Sequence, residues 1–301
     1  MNLIHIFQKF PDYVSCIEHL EAVRWGDTPS CPYCGGLAVA TKQENHRIGR
    51  WNCHACKSSF NVLSGTIFQK TKIPLQKWFL AVGLVLNAKK SVSSHQLARD
   101  LDMNQKSAWF MAMRIRHAML KSKVDAALLS GIVEADETYV GGKPRKGGKR
   151  DDDIDGGNKS KRGRGTDKLP VIGVVERGGK VVARPASKKE LTGKGLHAFI
   201  SENVDVAASL LMTDEYPAYR YTGKKMLHAT VNHAIEYVNG LVHTNTMEGF
   251  WALVKRAWYG QHHHYSDKYA SLYIAEACFK YNARGTNENI AFADFMKMAA
   301  C

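Results

Sequence analysis

Apolar residues recur at helical spacing through IPLQKWFLAVGLVLN, where Leu75, Trp78, Phe79, Val82, Leu84 and Val85 form one broad face just after Pro74, a favoured first-turn residue. The stretch SVSSHQLARDLDMNQKSAWFMAMRIRHAML predicts a short helix carrying Leu97 and Ala98 with Ser94 as N-cap. A break over Leu101 to Met103 follows, then a longer helix from Gln105 carrying Trp109, Met113 and Ile115. The period then changes to two. In SGIVEADETYV, Ile132, Glu134 and Asp136 share one face of a strand, and Val133, Ala135 and Glu137 share the other. Two strands, Val171 to Glu176 and Lys180 to Arg184, read as a hairpin turned by Gly178 and Gly179. A helix in KELTGKGLHAFISENV leads to an apolar run that ends at Asp214, with Pro217 just beyond, and MLHATVNH reads as a further short strand. HTNTMEGFWALVKRAW is helical, and Tyr273, Ile274, Cys278 and Tyr281 mark a closing amphipathic helix.

At about 100° per residue, Phe250, Leu253, Val254 and Ala257 lie opposite Glu248, while Asn245 and Lys255 lie within about 60° of it. In an isolated helix those polar residues would be a solvated face. The order of elements gives them another meaning: a strand with Asp136, a hairpin, a helix, a strand ending at Asp214 and a helix with Glu248 would bring three carboxylates to one edge of a mixed α/β sheet. Carboxylates so gathered repel one another unless a cation lies between them, and Mg(II) is the hard ion suited to carboxylate, water and phosphate oxygens.

The strongest local motif lies earlier. Cys31 and Cys34 in CPYCGG, then 18 residues, then Cys53 and Cys56 in WNCHACKSSF form paired CxxC turns. Two such turns supply four thiolates to one tetrahedral Zn(II), with no coordination position left open for catalysis. The intervening residues alternate as a zinc ribbon requires. His46 and His54 are expected at the surface, since four sulfurs suffice.

Composition narrows the partners. The 301 residues carry 42 Lys and Arg against 28 Asp and Glu, a formal charge of +14 with a pI near 9.4. An excess of that size points to a polyanion, nucleic acid above all. No apolar run of membrane-spanning length occurs and the first residues lack a signal-peptide pattern, so a cytoplasmic, nucleoid-associated protein without a membrane partner is expected. The segment Gly141 to Lys168 is Gly-rich with ten basic and five acidic residues and no apolar period; it is expected to be a flexible insertion able to track phosphates. The two helices before the first long strand fit either a helix-turn-helix or an ordinary helical hairpin. Arg114 and Arg116 on the second of them are expected to face DNA.

Taken in order, CPYCGG, WNCHACKSSFNVLSGTIFQKTKIPLQKWFLAV, VEADETYVGGK, LMTDEYPAY and HTNTMEGFWALVKR resemble the IS1595-type (ISXO2-like) insertion-sequence transposases, from about Phe10 to Arg284. The resemblance implies a zinc ribbon ahead of a ribonuclease H-like DDE catalytic domain. It assigns the metal-binding acids to Asp136, Asp214 and a third residue in HTNTMEGFW. Glu248 is taken for that place, with Asn245 as the alternative, and Lys255 as a phosphate contact. It implies two Mg2+ (or Mn2+) ions at the catalytic site and one structural Zn2+. The expected activity is nicking of transposon ends by phosphodiester hydrolysis, then joining of the 3′-OH ends to target DNA, by a dimer or higher oligomer on double-stranded DNA. A catalytically inactive DNA-binding regulator, and a nuclease without strand transfer, stay open as alternatives.

Further DNA contacts are expected from Lys143, Arg145, Lys146, Arg162 and Arg164 in the insertion and from Arg256 beside Lys255. The expected divisions are 1–70, an N-terminal helix and zinc ribbon; 71–126, a helix-turn-helix-like region; and 127–301, the catalytic domain with its insertion at 141–168. The QHHHYSDK stretch is expected near DNA or in packing, not as a second metal site.

Overall fold

The computed structural model describes residues 2–42, 48–121, 127–142, 166, 168–231 and 242–300. The chain divides into two compact units, Met1–Lys123 with Ala283–Cys301, and Val124–Asn282.

The first unit opens with α1 (Leu3–Lys9) and α2 (Tyr13–Trp25). A capping box starts α2, Asp12 accepting the Ser15 backbone N–H at 2.8 Å. Strands β1 (Val39–Thr41), β2 (Arg50–Cys53) and β3 (Ser59–Asn61) form a small antiparallel sheet. It is tied back to α2 by Trp51 Nε1 donating to Glu21 Oε1 at 2.8 Å, and its core is small: Cys31, Cys53 and Phe60. Helices α3 (Leu75–Asn87), α4 (Ser94–Asp100) and α5 (Gln105–Lys121) follow. The α4 cap is Ser93, one residue before the predicted Ser94: its hydroxyl accepts the Gln96 N–H at 3.1 Å, the ordinary three-residue reach of a serine cap. Gly83 of α3 has no room for a Cβ against Ile6, which is how α1 lies close upon α3.

The last helix, Glu288–Ala300, belongs to this unit and not to the catalytic region assigned to 127–301. Phe292 packs against Phe79 and Phe10, and Phe295 and Met296 are fully buried. An amphipathic helix buries its apolar stripe wherever a complementary face exists, and that partner cannot be read from the helix alone.

The second unit is a five-stranded sheet in the order β6-β5-β4-β7-β8, built from β4 (Leu129–Val140), β5 (Leu169–Glu176), β6 (Val181–Pro185), β7 (Val204–Thr213) and β8 (Leu227–Thr230). β4, β5 and β6 run antiparallel, while β7 and β8 run parallel to β4. This is the ribonuclease H-like mixed sheet. The predicted hairpin turns at Gly178, whose φ of 74° suits glycine. Helices α6 (Gly193–Asn203) and α7 (Tyr219–Gly223) contribute to one face with Val133, Ala135, Ile172 and Val174. α8 (Asn245–Ala257) and α9 (Asp267–Asn282) cover the other, against Val171, Val175 and Val181. The alternation of inward side chains along β4 and β5 decides which face each acid meets.

Candidate active site

Asp136 and Asp214 come together through strand register. β4 and β7 are parallel, with Val133 opposite Leu211 and Glu134 opposite Met212. Two residues further, the same register sets Asp136 beside Asp214, just past the end of β7 at Thr213. Neighbouring strands lie about 4.8 Å apart, and side chains two residues on keep the same face. Both acids therefore stand at one rim of the sheet, with Asp136 on the side that α8 covers.

The environment of Asp136 is specific. Its Oδ1 accepts the Glu137 backbone N–H at 2.8 Å and its Oδ2 accepts Trp251 Nε1 at 3.1 Å. As a residue it is half-buried, but its carboxyl lies among packed protein atoms. Burial first, then the nearby charges of Glu137 and Asp214, push that carboxyl up to about 8, against the two hydrogen bonds that lower it. A carboxyl this strained by its neighbours fits a site completed by a cation. The side chain of Asp214 is oriented by the Tyr216 N–H, which donates to Oδ1 at 3.0 Å. Glu137 faces the opposite side of the sheet, where Tyr219 donates its hydroxyl to Oε2 at 3.0 Å. Burial, then the charges of Glu137, Asp136 and Asp214, raise the Tyr219 phenol well above its ordinary value, keeping it a donor.

On α8, Met247, Phe250, Trp251 and Val254 are buried, whereas Leu253 and Ala257 are only partly so. The buried stripe is thus rotated from the predicted one toward Trp251, because Trp251 follows its bond to Asp136. Glu248 and Lys255 lie within about 60° of Trp251 around the helix, while Asn245 is about 120° away. Asn245, Glu248, Lys255 and Arg256 are all exposed. Asp136, Asp214 and Glu248 do not form a close cluster of ligand atoms; among the described residues only the four cysteines do.

Those cysteines sit as the ribbon requires. Cys31 and Cys56 have Sγ atoms 3.7 Å apart, Cys34 and Cys53 3.6 Å, and all four lie within 4.8 Å of one another. Four sulfurs about 2.3 Å from one zinc would be separated by about 3.8 Å, so the donor set fits a structural ion. Hydrogen bonds from the Ser58 side chain and backbone pull the Cys56 thiol down to about 6. Against the Gly36 backbone N–H, which lowers it, Cys34 is pushed up to about 12 by the sulfurs of Cys56, Cys53 and Cys31. Adjacent thiols cannot all ionise without a cation among them.

The two arginines expected to face DNA are structural. Arg116 is 3% exposed, with its guanidinium hydrogen-bonded to Ser91 Oγ and Met113 Sδ. Arg114 donates to the carbonyls of Ile67 and Gln69 at 2.7 and 2.9 Å and stacks over Phe110. Free carbonyls outside regular structure draw arginine inward, which residue type alone does not reveal. Instead, the start of α5 exposes Asn104, Gln105 and Lys106. Lys143, Arg145, Lys146, Arg162 and Arg164, and also His46, lie outside the described residues. His262 packs edge-on to Tyr273, and the exposed His264 lies against Trp258.

Trp251, Gly173 and Arg177 also shape the surroundings of these acids. A glycine inside the apolar run PVIGVVE is a sign of close approach, and here it marks the place where Trp251 lies against the sheet. No comparable local sign points to Arg177.

The chain thus carries a four-cysteine ribbon and, further along, a ribonuclease H-like sheet with Asp136 and Asp214 at its rim. Residues 128–282 match the ISXO2-like transposase domain and residues 11–59 the transposase zinc-ribbon domain. The chain belongs to the ISXO2-like transposase family. It is 31% identical over 254 residues, covering 81% of this chain and 82% of the relative, to a Halobacterium salinarum protein described as an uncharacterized protein in transposable element ISH50. No solved structure matches the chain. Among the described residues no helix is long and apolar enough to cross a membrane.

Proposed function

We propose that this chain is an active DDE transposase that nicks the ends of its own insertion sequence and joins the freed 3′-OH ends to target DNA. The observation that carries the reading is the adjacency of Asp136 on β4 and Asp214 just past the end of β7, with the carboxyl of Asp136 raised by burial and by its acidic neighbours. Glu248, on the Trp251 side of α8, is the third acid in this reading; Asn245 points further round the helix. Divalent cations held by these carboxylates would supply Lewis-acid activation of the attacking hydroxyl and neutralise charge on the leaving oxygen.

The protein's own part is orientation. The Glu137 N–H and Trp251 fix both oxygens of Asp136, and the Tyr216 N–H fixes one of Asp214. Lys255 and Arg256 leave the same helix toward solvent, where a phosphate beside the scissile bond would find them. In the first step water adds to phosphorus and the P–O3′ bond at the transposon end breaks, leaving a 3′-OH on that end. In the second, that hydroxyl attacks a target phosphodiester and a target 3′-OH departs. One phosphodiester replaces another, so joining needs no external energy source. The ribbon and the exposed start of α5 serve recognition of the ends, and synapsis of two ends requires at least a dimer on DNA.

The deciding experiment incubates the purified protein with DNA carrying its flanking termini and Mg2+, then maps nicks and joined products. Mg-dependent 3′ nicks at the ends, lost in Asp136→Ala or Asp214→Ala while end binding persists, are expected. Nicking without joined products would reduce the reading to a nuclease, and binding with no cleavage would favour the regulator.

A further inference from the structure

Glu134 lies on the same face of β4 as Asp136 and is fully buried. Its Oε1 accepts from Arg177 Nε at 2.6 Å and from Thr246 Oγ1 at 2.9 Å, and its Oε2 accepts the Met247 N–H at 2.9 Å. That N–H belongs to the first turn of α8, where backbone donors have no partner within the helix and negative charge is favoured. Arg177 stands just beyond β5, its own N–H donating to the Ile132 carbonyl at 3.0 Å. Through Nη2 it donates to the His243 carbonyl at 2.8 Å, meets His243 Nδ1 at 2.9 Å and touches Met212 Sδ at 3.0 Å. His243 Nδ1 also lies 3.4 Å from Glu134 Oε1. One ion pair thus grips β4, the exit of β5, β7 and the residues leading into α8.

Burying two charges is a poor way to gain stability, since apolar side chains of similar volume do as well or better. What directed bonds add is register. The rest of α8 is held by Met247, Phe250, Trp251 and Val254, whose apolar contacts are non-directional and tolerate small rotations and slides. The carboxylate of Glu134 sets the first turn, and one turn on, Trp251 bonds to Asp136. Glu248 follows Met247 directly in that turn.

We infer that Glu134 and Arg177 are a positioning pair, a register clamp that sets the height and rotation of α8 so that Glu248 stands at the metal-binding rim. The inference rests on reading Asp136, Asp214 and Glu248 as the metal site. Its test uses the full-length protein with Mn2+ as the probe. Mn2+ affinity is measured by electron paramagnetic resonance, and the Trp251 indole N–H resonance, assigned through Trp251→Phe, is followed by NMR.

Arg177→Lys keeps the charge and loses the fork. It is expected to weaken Mn2+ binding at least fivefold and to shift the indole resonance, with zinc content unchanged. Glu134→Gln is expected to do the same more strongly, and if it does not fold, Arg177→Lys decides alone. A lower melting temperature with unchanged Mn2+ affinity and an unmoved indole would overturn the clamp. Mn2+ binding undiminished in Asp136→Ala would instead refute the metal site, with the indole shift in Arg177→Lys still reporting on the register of α8.

Discussion

Gly173 of β5 sits directly across from Asp136 of β4, and its missing side chain is what allows Trp251 to reach that carboxylate. A Cβ on Gly173 would collide with Met247 and lie 2.9 Å from Trp251 Cη2. Gly173→Ala should therefore cost about 1–3 kcal/mol in overpacking and lower single-turnover end cleavage about tenfold by displacing the indole. Trp251→Phe provides the control, removing the hydrogen bond without crowding. Thermal denaturation beside cleavage rates separates the two effects; normal cleavage in both variants would mean the indole bond does not matter.

Metal binding should carry a pH signature. A carboxyl raised from its ordinary value to about 8 keeps its proton in the folded protein at pH values where the unfolded chain has lost it. The folded state then binds more protons, so without divalent metal the contribution of Asp136 to stability falls as pH rises from about 4 toward about 8. A cation must displace that proton. The apparent Mg2+ affinity should rise about tenfold per pH unit in that window and level off above it. Calorimetric titrations at several pH values would show it, and a flat profile would contradict the raised carboxyl.

Arg116 and Lys106 differ in what they meet: one is buried in the core and the other is exposed. Arg116→Met should change stability and leave the salt dependence of DNA binding untouched, because the guanidinium is buried. Lys106→Ala, at the exposed start of α5, should lower the slope of log affinity against log salt by about one. Fluorescence anisotropy across a salt series distinguishes them. An altered slope in Arg116→Met would restore that residue to the DNA face.

Cys31→Ser should release the structural zinc and unfold the ribbon, whose apolar core is too small to stand by itself. Zinc content by atomic absorption, with end binding measured in parallel, checks this. Full zinc occupancy in the variant would contradict four-sulfur ligation.

What the sequence made legible was local. Alternation through IVEADE separated Glu134 and Asp136 from Glu137, and the sheet keeps that separation, because period two is a property of the strand itself. The spacing of the cysteine pairs was equally readable. Partners distant in the chain were not. Nothing near Arg177 announces that it meets Glu134, 43 residues away, and nothing in ENIAFADFMKMAA says that the helix joins the first unit. Arg114 and Arg116 misled for a related reason: charge suggests solvent, but unsatisfied carbonyls and hydroxyls in the core outrank that preference. The helical projection of α8 was off by part of a turn, since apolarity alone cannot foresee an indole drawn to a carboxylate.

The most direct measurement replaces Mg2+ with Fe2+ in the full-length protein and adds peroxide, so that the polypeptide is cut where the metal sits. Fragments ending near Asp136, Asp214 and Glu248, absent in Asp136→Ala and competed away by Mg2+, are the predicted result. Cuts confined to other parts of the chain, or an identical pattern in Asp136→Ala, would contradict a metal site at the rim of β4 and β7.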